Sequence, residues 1–245
     1  MANMTQQGAA NHHVLKEKAV VFWSGGKDSA MALYKAQADP GLNIVGLVST
    51  VVAGKGKTSV HEIAETALER QAFLTGLPLR KMIVGENPAN SDYEDSLLDV
   101  YRELLQEGIS TVIYGDLFLQ DIKTYREGLL RQAGLKPLFP LWQIDTGEYM
   151  KDFIRLGFKA LVCCVNTAMI SNKFLNREID ADFLDDLPKS ADPAGENGEF
   201  HTFCYDGPVF SGPVPFTQGG LYSHSAEFRS GGQVITFEVG HLEIL

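Results

Sequence analysis

The sequence predicts an α/β protein: a Rossmann-like parallel sheet of about five strands with helices on both faces, followed by a smaller C-terminal α+β subdomain. Three observations predict it. Through the first 165 residues, short unbroken apolar runs alternate with stretches of helical period, as expected of strands buried on both faces and joined by crossover helices. Glycines stand where the helices should stop, at Gly108 and Gly134. After residue 165 the alternation gives way to an acidic stretch and then to β-like runs separated by Gly and Pro. The expected division is therefore residues 18–165 and 166–245.

Residues 18–23 form the first strand, followed by a glycine turn and a helix from about Asp28. Residues 42–50 are the second strand. A Gly/Lys-rich loop then leads to a helix on which Ala64, Leu68 and Ala72 share a face. Residues 79–84 are the third strand. Leu97, Leu98, Tyr101, Leu104 and Leu105 form the apolar stripe of the next helix. Residues 110–114 are a strand ending in Gly115-Asp116, and Ile122, Tyr125, Leu129 and Ala133 mark the helix behind it. Residues 136–141 and 159–165 are further strands, flanking a helix from about Asp145 to Gly157. In the second unit, residues 175–187 form a short helix whose Asp180, Asp182, Asp185 and Asp186 make an exposed face. A turn-rich link over 188–198 precedes β-like runs at 201–205, 221–228 and 234–239.

Composition excludes several classes. The chain has 245 residues, with 21 Lys+Arg against 31 Asp+Glu and a net charge of −10. That length is ample for a buried core, and the acidic balance argues against sequence-blind nucleic-acid binding, which needs cations to displace counterions. The apolar stretch 160–165 falls far short of the roughly 20 residues of a membrane span. Residues 1–18 lack the apolar core of a secretory signal, so they read as a loose leader with His12-His13 as solvated tail. Three cysteines, with no Cys-x-x-Cys, give no disulfide framework, zinc ribbon or Fe–S site. Cys163 and Cys164 read as small buried strand residues, and a reducing cytoplasm is the expected location. A homo-oligomer is left open.

The strongest local signal is Ser24-Gly25-Gly26-Lys27-Asp28-Ser29, between a strand and a helix. Two glycines allow a sharp turn and close approach of a ligand. Amides at the helix start and the helix dipole favour an anion there. Lys27 adds a positive charge, and Ser24 and Ser29 carry hydroxyl donors. Asp28 would repel a phosphate unless it caps the helix or reaches the phosphates through Mg²⁺. Residues 54–58 end like a Walker A loop, but the required earlier glycine is Val51. Ligands of such sheets bind beyond the carboxyl ends of the strands, which directs attention to 24–29 and 115–121.

The 24–29 string resembles the pyrophosphate loop of the N-type ATP pyrophosphatases, and the chain as a whole resembles the diphthine–ammonia ligase family. The resemblance runs over about residues 18–210. It includes His61, the run from Gly115-Asp116 to Asp121, Tyr125-Arg126, Pro140-Leu141-Trp142, and above all Gly195-Glu196-Asn197-Gly198-Glu199-Phe200-His201. It implies a HUP-type (adenine nucleotide alpha hydrolase-like) core that binds ATP and, with Mg²⁺, cleaves it to AMP and pyrophosphate. A carboxylate is activated as its acyl-adenylate, and ammonia then attacks to give an amide. The partners implied are ATP, ammonia and a carboxylate acceptor, with translation elongation factor 2 bearing the family's namesake substrate.

Under that reading, Ser24, Gly25, Gly26, Lys27, Asp28 and Ser29 hold the departing pyrophosphate, with Lys27 catalytic and Asp28 the metal ligand. Gly115 lets a base or ribose lie against the backbone. Asp116 binds ribose or Mg²⁺, or merely begins a turn. Arg126 is either a clamp on the α-phosphate or a solvated helix arginine. His61 is either part of the nucleotide site or structural. Asp121 either caps its helix or meets substrate, as do Trp142, Asn197 and Gly198 in the substrate-binding reading. Glu196 and Glu199 bind ammonium, one of them taking its proton, and His201 assists; the same segment also reads as a plain turn. Relatives often have cysteine where Ala194 stands, so no thiol step is expected there. The alternatives are an ATP/AMP-binding sensor, or a related ligase on another acceptor such as tRNA.

Overall fold

The computed structural model of the chain describes residues 16–59, 61–86, 89–230 and 233–245. The leader with His12 and His13 lies outside the described residues.

The first unit runs β1 (Glu17–Phe22), α1 (Lys27–Gln37), β2 (Leu42–Val52), β3 (Lys57–Thr58), α2 (Glu65–Thr75), β4 (Leu79–Val84), α3 (Asn90–Gln106), β5 (Thr111–Ile113), α4 (Gln120–Ala133), β6 (Lys136–Leu138) and α5 (Thr146–Arg155). Five strands are parallel in the order β4-β2-β1-β5-β6. β3 folds back antiparallel on Val51 and Val52 of β2, so the Walker-like 54–58 segment is a hairpin turn running into β3. From β1 the chain winds outward through β2 and β4, then returns to place β5 on the other side of β1. The reversal makes the β1/β5 crevice the topological switch point, where ligands of open parallel sheets bind.

The pleat sends alternate residues to two cores. Ala19, Val21, Trp23, Leu47, Val51 and Ile113 pack with Ala30 and Leu33 of α1, Leu68 of α2 and Phe153 of α5. Val20, Val48, Val52, Val112 and Tyr114 pack with Leu97, Tyr101 and Leu104 of α3 and Leu130 of α4. Burying each such large side chain stabilises the fold by about 1.5–3 kcal/mol before entropy is counted.

The second sheet is antiparallel, in the order β8-β7-β10-β9, from β7 (Lys159–Asn166), β8 (Phe200–Asp206), β9 (Gln218–Ser230) and β10 (Gln233–Ile244). This corrects one expectation: the 159–165 run belongs to this sheet and not to the parallel one. It is central and buried on both faces in the sheet it does join, so its apolar pattern is that of a parallel core strand. Cys163, Phe200 and Phe203 share one continuous core with β1 and α1. The end of β10 also meets the start of α2, where the Ala64 amide donates to the Ile244 carbonyl at 3.1 Å. Between β7 and β8 lies α6 (Ala181–Asp186), capped by the Asp180 carboxylate at 2.7 Å from the Phe183 amide. Asp182, Asp185 and Asp186 are exposed, as the sequence reading expected.

Candidate active site

The 24–29 loop leaves β1 at the switch point. Gly25 has φ +84°, and a Cβ there would meet Leu68 Cδ2 at 2.9 Å. A Cβ on Gly26 would lie 2.9 Å from the Thr202 carbonyl oxygen. Both glycines are thus required by close approach as well as by the turn. Long-range bonds clamp the loop: the Cys204 amide donates to the Gly25 carbonyl at 2.9 Å. Gln71 Nε2 donates to that same carbonyl at 2.9 Å and to the Cys204 carbonyl at 2.6 Å, while Trp23 Nε1 donates to Gln71 Oε1 at 2.8 Å. The amides do not all stand free, as the sequence reading supposed. Lys27 N–H donates to Thr202 Oγ1 at 3.0 Å, and Gly26 N–H to Ser24 Oγ at 3.2 Å. Ser29 Oγ donates to the Gly26 carbonyl at 2.9 Å and lies 3.3 Å from Ser24 Oγ.

Asp28 is not a cap. Gly26 occupies the N-cap position with no side-chain bond, and Asp28 sits in the first turn. Its carboxylate accepts from Lys27 Nζ at 2.9 Å and from the Tyr149 hydroxyl at 2.8 Å. Lys27 is buried, with Nζ 5.5 Å from the centre of the Phe200 ring. The close approach at Gly115 is made by protein: a Cβ there would lie 2.7 Å from the Asp28 carbonyl oxygen. This packing brings Asp116 beside Asp28. Burial raises the Asp116 carboxyl above its ordinary value, opposed by Arg126 and reinforced by Asp28. Arg126 is no solvated helix arginine. It pairs with Asp116 Oδ1 at 3.3 Å and stacks 4.1 Å over the Tyr114 ring. Asp116 Oδ2 is buried with no hydrogen-bond partner. An orphaned carboxylate oxygen next to a second carboxylate fits a divalent cation or a ribose hydroxyl.

The 195–201 segment lies at this same end of the sheet, but its two glutamates differ. Glu199 is fully buried and accepts from the Asp192 amide (2.8 Å), the Asn197 amide (3.1 Å) and Asn197 Nδ2 (3.3 Å). The expectation that Glu199 binds ammonium is corrected: its oxygens are committed to holding the turn. Asn197, exposed, is part of that brace, and Gly198 (φ +89°) supplies its bend. Glu196 instead leaves the turn and accepts from the Leu117 amide at 3.2 Å. Burial first, then the Asp28 charge, raises its carboxyl to about 7 against the pull of Lys27. His201 and His61 place their ring centres 4.7 Å apart, with His61 Nε2 against Gly26. Burial pushes His201 down to about 4 and His61 well below its ordinary value, so both are neutral at pH 7.

Two expected residues stand apart from this constellation. Asp121 does not cap α4: the N-cap is Leu119, and Asp121 is exposed in the first turn. Trp142 packs against Phe139, its ring 4.6 Å beneath Lys123 Nζ. Sequence reasoning missed Tyr149, Thr202 and Gln71. Tyr149 belongs to the apolar stripe of a helix and Thr202 to a strand. Neither pattern distinguishes a site residue from a packing one.

The family profile for the diphthamide synthase N-terminal domain matches residues 17–137, and that for the C-terminal domain matches residues 145–222. The chain belongs to the diphthine–ammonia ligase family. It is 28% identical over 247 residues to a diphthine–ammonia ligase of Bos taurus, covering 90% of each chain, and 27% identical over the same length to that of Homo sapiens. A Schizosaccharomyces pombe relative of the same name is 26% identical over 226 residues, covering 83% of this chain but 36% of its own length. A solved U34-tRNA thiolase from Methanococcus maripaludis matches at 17% identity over 60% of each chain with a TM-score of 0.38, too slight a likeness to bear on function.

Proposed function

We propose that the protein is an ATP-dependent amide-forming ligase of the diphthine–ammonia ligase type. The observation that supports this most is that Glu196, from the second unit, bonds to Leu117 on the β5 loop beside Asp116, Asp28 and Lys27. Nucleotide cleavage and acceptor chemistry thus have one crevice to share. In the reaction, an acceptor carboxylate oxygen attacks the α-phosphorus of ATP and pyrophosphate leaves. Ammonia then attacks the acyl carbon, AMP leaves, and one proton passes from nitrogen to a base.

The chain's own groups suit these steps. Lys27 and the helix-start backbone of the 24–29 loop stabilise the charge on the leaving pyrophosphate, and Arg126 the charge at the α-phosphate. Asp28 and Asp116 would hold Mg²⁺, which supplies neutralising charge to the phosphates when bound. A carboxylate titrating near 7 matches the task of taking the ammonium proton, and Glu196 is the group so placed. His61 and His201, both neutral, lie side by side against the loop at Gly26.

The acceptor we propose is a protein-borne carboxylate, the diphthine of an elongation factor 2-like protein. The test incubates the full chain with ATP, Mg²⁺, ammonium and that acceptor, resolving phosphorus products. AMP and pyrophosphate formed only with both co-substrates, with amide on the acceptor, is the expected result. ADP formation, or nucleotide binding without turnover under all these conditions, overturns the reading.

A further inference from the structure

A second cluster of ligating groups lies behind His61. The pairing of Tyr222 with His241 across the β9–β10 hairpin, and the pleat, put Tyr222, His224 and His241 on one face. Glu62, in the loop before α2, closes on that face. One ligating atom each from Glu62, His224 and His241 lie within 4.8 Å of one another. The His224 and His241 rings stack with centres 4.8 Å apart. From this we infer that Glu62, His224 and His241 form a binding site for a divalent transition ion of zinc type, separate from the ATP site.

Three further observations support it. His241 is 1% exposed, yet its Nδ1 has no hydrogen-bond partner, while Nε2 lies 4.0 Å from Cys164 Sγ. A buried imidazole nitrogen left without a partner is uncommon unless a ligand takes it. Glu62 Oε2 accepts from the Tyr222 hydroxyl, leaving Oε1 available. A ligating carboxylate oriented by an outer hydrogen bond is how such metal sites are tuned. Glu62 and His224 also line a cavity of about 310 Å³ that Lys55 and Lys57 border. Two imidazoles and one carboxylate suit zinc, and three protein ligands leave its fourth position open. Glu62 and His224 line the cavity, so water or a small anion there would complete the coordination. Zn–N bonds of about 2.0–2.1 Å need the three side chains to draw together, which the exposed His224 can do by rotation.

The test uses the full chain without an affinity tag, stripped with chelator, dialysed with Zn²⁺ and then against metal-free buffer. Bound zinc per chain is measured by mass spectrometry, and Co²⁺ loading by its visible absorption. The expected result is about one zinc per wild-type chain and for a His12→Ala/His13→Ala variant. Glu62→Gln and His224→Ala, with unchanged circular dichroism, should bind at least about tenfold more weakly and lose the cobalt bands. Wild type that retains no zinc, or His224→Ala that retains as much, overturns the site. So does loss of zinc only in the His12→Ala/His13→Ala variant, which would make it a tail-bound ion.

Discussion

The 24–29 loop and the 192–199 turn lie at the same end of the parallel sheet but are built by different means. Beyond two bonds of its own, from the Gly26 amide to Ser24 Oγ and from Ser29 Oγ to the Gly26 carbonyl, the loop is held from outside. Gln71 of α2, and Thr202 and Cys204 of β8, bond its backbone across 46, 175 and 179 residues of chain. The turn is held from within. Asp192 Oδ2 accepts from the amides of Ala194 and Glu196, each at 3.0 Å, while Glu199 accepts from Asp192 and Asn197. The loop's shape is therefore a property of the finished fold, whereas the bonds that brace the turn close within a few residues of chain. A self-braced turn has two classes of carboxylate, those that brace and the one that is presented.

Lys27→Ala tests the loop most severely. Pyrophosphate release should fall by about 10²–10³-fold, the loss of one preorganised donor at a charge-developing centre, and the thermal midpoint should fall too, because a buried cation is taken from beside Asp28. Undiminished release would remove the loop from the chemistry. Glu199→Ala tests the brace. It empties a fully buried site and strands the Asp192 and Asn197 amides in a part-buried turn, so unfolding free energy should drop by about 2–4 kcal/mol in a denaturant titration. An unchanged midpoint would return Glu199 to the list of reacting groups. Gly115→Ala drives a methyl to within 2.7 Å of the Asp28 carbonyl oxygen, which should cost about 1–3 kcal/mol and weaken ATP binding as Asp28 and Asp116 separate.

Glu196→Gln separates presentation from bracing. Stability should hold within about 1 kcal/mol, while the ammonia-dependent step slows by about 10²-fold. In the wild type, at a fixed concentration of free ammonia, that step should rise with pH through about 7, as Glu196 loses its proton. The glutamine variant should lack that limb, and a limb that persists would assign the base elsewhere. The smallest effect is expected far from the crevice, at Glu17. Lys136 at 2.7 Å, with the Ser110 and Thr111 hydroxyls at 2.8 Å, holds its carboxyl down at about 2. Its stabilisation is complete above the ordinary value of 4.5 and fades as pH falls from there through about 2. Glu17→Gln should flatten that acid limb while costing under about 1 kcal/mol at neutral pH, since the pair is part-exposed.

The legible part of the site was the part with a local signature. Ser24 to Ser29 carries its own turn chemistry, and the strand and helix periods on either side placed it at a strand end. Gly115-Asp116 was legible for the same reason. Glu196 and Glu199 were legible as a pair but not as a contrast, because two identical side chains three residues apart differ only in which amides fold back onto them. Asp28 and Asp121 both looked like caps, yet neither serves as one, since the cap falls at Gly26 and Leu119. Helix starts are set by backbone geometry that a one- or two-residue shift leaves almost invisible in sequence.

The sequence by itself determined the parallel sheet, the glycine turn at 24–29 and the strands of the tail, because hydrophobic period and turn residues act over a few residues of chain. Only the tertiary structure decided that 159–166 joins the second sheet and that Thr202 occupies the Lys27 amide. It also decided that Arg126 is tied to Asp116, and that Tyr149 holds Asp28. Each depends on which surfaces meet after the chain has turned back on itself, and an apolar strand or a helix stripe is the same string of residues whichever partner it finds.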